Sequence, residues 1–178
     1  MADLSSHRDA LIAALIDLEH HVAEAGWDQV PRLFALVRTE VLVASEPALA
    51  EQLGLQPTAD DALTAVEQDT FASSGDVVGD LSAIEWPQGV FGCAISLVRT
   101  FLPAAYEADL PADPAAAAAA VAVHPERQEI RVVVGVDRSG HRHGVARLVS
   151  QPDQLLAGDD LVPGLAAALT HTLTSHNG

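Results

Sequence analysis

The sequence predicts an α+β domain, with a mostly antiparallel sheet of about four strands covered by an N-terminal and a C-terminal helix. Three observations carry that expectation. Leu11, Leu15, Leu18 and Val22 recur at spacings of four and three, the period of a helix with one buried side. Ile130, Val132, Val134 and Val136 alternate with Arg131 and Gly135, the period of a strand, and the turn-forming Asp137-Arg138-Ser139-Gly140 follows. Val162, Leu165, Ala166, Leu169 and Leu173 restore the helical spacing near the end of the chain. Length agrees with one domain over 1–178, since 178 residues bury about 70% of the unfolded surface without help from disulfides or metal.

The first helix is expected over residues 6–25. Ser6, with Asp9 three residues on, serves as its start, Ala25 continues the stripe, Ile12 and Ile16 widen it, and Gly26 ends it. Such a stripe covers a sheet or pairs with a second copy, and covering a sheet is the plainer reading. Pro31 fixes the backbone after Gly26-Trp27-Asp28. Residues 33–43 then read as a strand, with a helical start before Arg38 left open. Residues 47–53 and 60–68 read as two short helices around the break Gly54-Leu55-Gln56-Pro57-Thr58, with Thr58 or Asp60 as a cap. Ser73-Ser74-Gly75-Asp76 is a loop.

Residues 90–101 alternate, with Phe91, Cys93, Ile95 and Leu97 on one face, and stop at Pro103. Asp113 caps an alanine-rich helix that Pro114 opens and His124-Pro125 ends; alanine is the best helix former, which explains the run. Residues 128–137 and 143–150 form a hairpin across the 137–140 turn. Residues 161–173 close the chain as a helix, with Asp159 or Asp160 at its positive end. No internal repeat emerges.

Charge excludes whole classes of partner. The formal net charge is −16, every basic residue is an arginine, and no run of arginines forms a stripe. Nucleic acid needs such a stripe to release counterions, and an anionic membrane surface repels the chain for the same reason. Protonating all eight histidines still leaves it net negative. The first nine residues carry acids rather than a signal pattern, and the longest apolar run, residues 115–123, is too short to span a bilayer. With a lone cysteine as well, the expected location is the cytoplasm, without membrane insertion.

Each candidate site has a plain structural counterpart. His141 and His143, two residues apart on a strand, would point to one face and reach one metal, with Asp137 or His124 as a further ligand. Two ligands make no site, and hairpin tips are commonly polar. Asp17, His20 or His21, and Glu24 share one side of the first helix, but a carboxylate-bridged metal site needs matching motifs on other helices. Cys93 lies among apolar neighbours and reads as a small buried hydrophobe. Ser96 stands in no nucleophile elbow, and phosphate-loop and dinucleotide glycine patterns are absent, so no cofactor is expected.

Arg38, Arg99, Arg131 and Arg147 fall one on each expected strand. They would form an anion-binding patch if they shared a face, but the strand phases of Arg99 and Arg131 oppose this, and local ion pairs account for them. Trp27 and Trp86 read as core anchors, with a binding groove as the alternative.

The strings Gly26-Trp27-Asp28-Gln29-Val30-Pro31-Arg32-Leu33-Phe34-Ala35-Leu36-Val37, Glu85-Trp86-Pro87, Gly92-Cys93-Ala94, His124-Pro125 and Asp160-Leu161-Val162-Pro163-Gly164-Leu165 resemble an actinobacterial family of uncharacterised activity. The missing lysines and abundant alanine fit the GC-rich genomes of that group. The resemblance implies a lineage and a single domain, and it carries over no catalytic residue. The leading functional expectation is therefore a non-enzymatic cytoplasmic module that binds another protein or a second copy of itself, through a sheet face or the 11–25 stripe. Trp27, Trp86, Arg38 and Arg99 are its candidate binding residues. The alternative is a small metal-dependent or hydrolytic enzyme centred on His124, His141 and His143.

Overall fold

Helix α1 (Leu4–Ala23) leads to strand β1 (Arg32–Arg38), the short helices α2 (Thr39–Ser45) and α3 (Pro47–Gln52), and strand β2 (Leu63–Glu67). Helix α4 (Val77–Leu81) precedes the long strand β3 (Gly92–Phe101), and α5 (Ala104–Glu107) and α6 (Pro114–Val123) follow it. Strands β4 (Gln128–Asp137), β5 (Arg142–Leu148) and β6 (Leu155–Gly158) come next, and α7 (Pro163–Thr174) is last. The computed structural model describes residues 4–26, 30–52, 54, 62–68, 71, 77–159 and 161–174. Trp27, Thr58, Asp60, Asp160 and the loop 73–76 lie outside them.

All strand pairs are antiparallel, in the order β2-β1-β3-β4-β5-β6. Strand alternation divides the core into two layers. On one face Leu11, Leu15, Leu18 and Val22 of α1 pack on Phe34, Leu36, Ala94, Val133 and Val145. On the other, Leu165, Ala166, Leu169 and Leu173 of α7 pack on Leu33, Ala35, Cys93, Ile95, Val132 and Val134, with Leu81 and Trp86 beside them. Each fully buried leucine contributes about 1.5–3 kcal/mol. The first-helix stripe is thus spent on the sheet, and each sheet face carries a helix.

The α+β expectation holds, while the sheet is larger than the four strands expected. Residues 63–67 form a strand and not a helix. Their Asp, Ala, Glu and Gln surroundings favour a helix locally, yet ladder pairing with β1 and a 2.8 Å bond between the Thr39 and Thr64 hydroxyls override that preference. Strand β6 was not expected, because Leu155-Leu156-Ala157-Gly158 shows no alternation. The apolar stretch 33–43 splits: the strand ends at Arg38 and α2 begins at Thr39. Phe91 leaves the face of Cys93, Ile95 and Leu97. Its N–H bonds Leu36 O although Gly92 is the ladder partner of Leu36, so two residues oppose one, as in a bulge. The Phe91 ring then lies 5.3 Å from the His7 ring, on the α1 side.

The 137–140 turn forms as the sequence implies. Gly140 takes φ +91°, and Asp137 Oδ1 accepts from His141 N at 3.0 Å. Asp113 caps α6 by accepting from Ala116 N at 3.0 Å. Helix α1 starts at Leu4, which puts Ser6 inside it, and Gly26 at φ +88° follows its end.

Gly135 marks a close approach of α1 to the sheet, since an added Cβ would lie 2.6 Å from Leu15 Cδ2. Gly135→Ala should cost about 1–3 kcal/mol by urea unfolding. Gly164, in the first turn of α7 with open space around it, behaves oppositely: Gly164→Ala should add about 0.5–1 kcal/mol.

Candidate functional site

Glu19 sits inside the buried stripe of α1 and is fully covered. An isolated carboxylate there would be very costly, and two arginines from neighbouring strands meet it. Arg131 of β4 donates to Oε1 at 2.8 Å; Arg147 of β5 donates through Nε to Oε1 at 2.8 Å and through its terminal nitrogen to Oε2 at 3.0 Å. Arg131 and Arg147 are ladder partners, so the register that pairs β4 with β5 also builds this clamp. Burial alone would raise the carboxyl of Glu19; the hydrogen bonds and charges of Arg147 and Arg131 outweigh it and hold the group below its ordinary value.

The other end of α1 carries a second polar cluster. The Arg38 guanidinium lies 4.6 Å from the Phe91 ring centroid and contacts His7 Nε2 at 3.4 Å. Arginine only donates, so Nε2 accepts and His7 Nδ1 carries the proton, which points to Ser139 Oγ at 3.1 Å. His7 in that tautomer is a donor to Ser139 and not its base.

The three candidate histidines are dispersed among separate partners. His141 precedes β5 instead of lying on it, and its Nδ1 donates to Asp137 Oδ2 at 3.0 Å. His143 faces α1 and bonds Asp159 at 3.3 Å, a carboxylate that Arg8 also holds. His124 caps the end of α6 beside Tyr106, and its Nδ1 accepts from Glu126 N. Among the described residues, no group of three or more His, Cys, Asp or Glu is placed to hold a metal ion.

The candidate binding residues do not converge. Arg99 is exposed on the α7 side of the sheet, whereas Arg38 belongs to the α1 side. Trp86 is buried, donates to Thr172 Oγ1 at 2.9 Å, and lines a cleft of about 700 Å³ with Leu33, Phe71 and Pro87. Arg138 acts as a staple, donating to the carbonyls of Val90, Leu173 and Pro87. Burial pushes the Cys93 thiol up to about 12. On α1, Asp17, His20, His21 and Glu24 are exposed.

A further feature was missed by sequence reasoning. Between α1 and β2 runs an apolar groove of about 460 Å³, with Ala14, Leu18, Phe34, Leu49, Leu63 and Ala65 along it and Asp17, His21 and Glu67 among its polar residues. It borders a sheet edge. Thr39 N bonds Ala62 O and Gln68 N bonds Leu33 O, which fixes the phase of the β1–β2 ladder. In that phase the backbone groups of Leu63, Ala65 and Glu67 point away from β1, and among the described residues no hydrogen bond reaches them. The same three side chains line the groove. Glu67 also binds Arg32 at 2.7 Å, which lowers its carboxyl below the ordinary range.

Two measurements follow from this geometry. Glu19 has a depressed folded-state pKa, so its contribution is present above the unfolded value of about 4.3 and is lost as pH falls through the folded one. Glu19→Gln should cost about 3–5 kcal/mol at pH 7, and the gap between variant and parent in urea unfolding should narrow as pH drops below about 4.3. Cys93 should resist a chromogenic disulfide reagent at pH 8 in the folded protein and react fully in denaturant.

No helix among the described residues is long and apolar enough to cross a membrane. No curated protein and no solved structure matches the chain. A family model described as PPA1309-like protein matches residues 11–174, a stretch that takes in most of α1, all of α7 and every strand between them. On that match, the chain belongs to the PPA1309-like protein family.

Proposed function

We propose that this protein is a non-enzymatic cytoplasmic interaction module that docks another protein along the β2 edge, over the α1–β2 groove. One observation carries the reading: among the described residues no hydrogen bond reaches the outward backbone groups of Leu63, Ala65 and Glu67, which lie beside an apolar groove lined by those same residues. An open edge gives a partner main-chain hydrogen bonds, and a pocket beside it selects the side chains. The metal-dependent or hydrolytic reading is not taken up, since His124, His141 and His143 each keep a separate partner. The absence of lysine and the excess of alanine support an actinobacterial origin.

A photo-crosslinking amino acid at Asp17, on the groove, is compared in living cells with one at Ala118, on exposed α6. The Asp17 position should yield a discrete adduct that Ala65→Lys removes. Equal adducts from Ala118, or none from Asp17, would overturn the reading.

A further inference from the structure

We infer that the occupant of the β2 edge is an extended segment of a partner protein that joins as a seventh strand, with an apolar side chain in the groove and a basic side chain within reach of Asp17. This rests on the interaction reading above and adds the partner's chemistry. In an antiparallel pair, residues directly opposite each other send their side chains to the same face. The side chains of Leu63 and Ala65 lie on the α1 side of the sheet, where they pack against that core. A partner residue opposite Ala65 therefore points into the groove, and those two positions away stand opposite Leu63 and Glu67. The three outward residues offer three donors and three acceptors over about 14 Å.

Charge decides the class of segment. Asp17 is exposed at the groove, Glu67 lines it with its charge already matched by Arg32, and the chain as a whole carries −16. Long-range attraction and the Asp17 carboxylate both favour a basic segment and oppose an acidic one. A second copy is disfavoured on the same ground. An isologous β2–β2 pairing centred on Ala65 sets each Glu67 against the other copy's Leu63, brings both Asp17 residues toward one seam, and joins two chains of charge −16. The groove, about 460 Å³ and mostly apolar, has room for a large aliphatic or aromatic side chain.

The probe is a capped nine-residue peptide, Thr-Lys-Thr-Lys-Thr-Leu-Thr-Leu-Thr, whose lysines and leucines share one face of a strand; paired antiparallel with its second leucine opposite Leu63, it sets the first leucine opposite Ala65 and a lysine opposite Glu67. It is titrated into the ¹⁵N-labelled full chain, with amide shifts and hydrogen exchange as readouts. Saturable shifts should centre on β2, and exchange at Leu63, Ala65 and Glu67 should slow by about tenfold or more. Ala65→Lys should abolish binding. Asp17→Lys, on the exposed rim where folding is not at stake, should weaken it about three- to tenfold. Replacing both lysines by glutamate, or N-methylating both leucines, should also remove it.

Shifts scattered over the surface and indifferent to Ala65→Lys would mean unspecific attraction and would overturn the proposal. Equal binding of the glutamate peptide would do the same. Concentration-dependent protection of Leu63, Ala65 and Glu67 without peptide would identify a second copy as the occupant; that result overturns the basic segment and leaves the docking edge standing. Failure of the Asp17 crosslink removes the edge itself, so the two ideas fail on different data.

Discussion

A carboxylate placed in the buried stripe of a helix constrains everything that packs on that helix. Glu19 is stable in the core only while both Arg131 and Arg147 hold it, and those two sit on adjacent strands at a single register position. Sliding α1 along the sheet or rotating it would strand three charges out of water. The clamp therefore fixes α1 over β4 and β5, and Gly135 lets it settle closely there by leaving space for Leu15. With α1 committed to that half of the sheet, β1 and β2 are only partly roofed, and the groove is the gap that remains. The candidate docking surface is in this sense a by-product of where one ion cluster had to form.

The arginines of this chain do mostly architectural work. Arg131 and Arg147 clamp a helix, Arg138 staples three carbonyls around the end of α7, Arg32 ties β1 to Glu67, and Arg8 ties α1 to Asp159. Guanidinium suits these tasks because its fork serves two acceptors at once and stays ionised when buried. Among the described residues, Asp9, Asp17, Glu24, Glu40, Glu51 and Glu107 are exposed to water. The molecule's outward field is thus more one-sided than a count of its charges suggests, because several of its cations are turned inward or already matched.

What was legible in the sequence was periodicity. Leu11, Leu15, Leu18 and Val22 gave away α1, and the alternation from Ile130 to Val136 gave away β4, since each element is buried along one regular pattern. Strand β1 hid its phase: Leu33, Phe34, Ala35 and Leu36 are buried on both faces, so nothing alternates. Strand β2 hid its type, because its residues suit a helix and only pairing with β1 makes them a strand. The candidate site inherits that blindness, being built from β2. Glu19 was readable and went unread: it lies four residues after Leu15 and three before Val22, in the middle of the apolar stripe. The convergence of Arg131 and Arg147 on it needed the β4–β5 register, which single strands do not contain.

The two ends of the sheet are unequal. β2 presents five residues of half-buried backbone over a groove, whereas β6 has only four, ending next to Asp159 and its ion pair with Arg8. Were both edges equally inviting, β2 of one molecule would pair with β6 of the next, and repetition of that heterologous contact would build an open-ended filament. A shorter strand that ends beside a charge pair gives such growth less to pair with than β2 does. The proposed docking edge is in this way favoured for one partner over a repeating contact between copies.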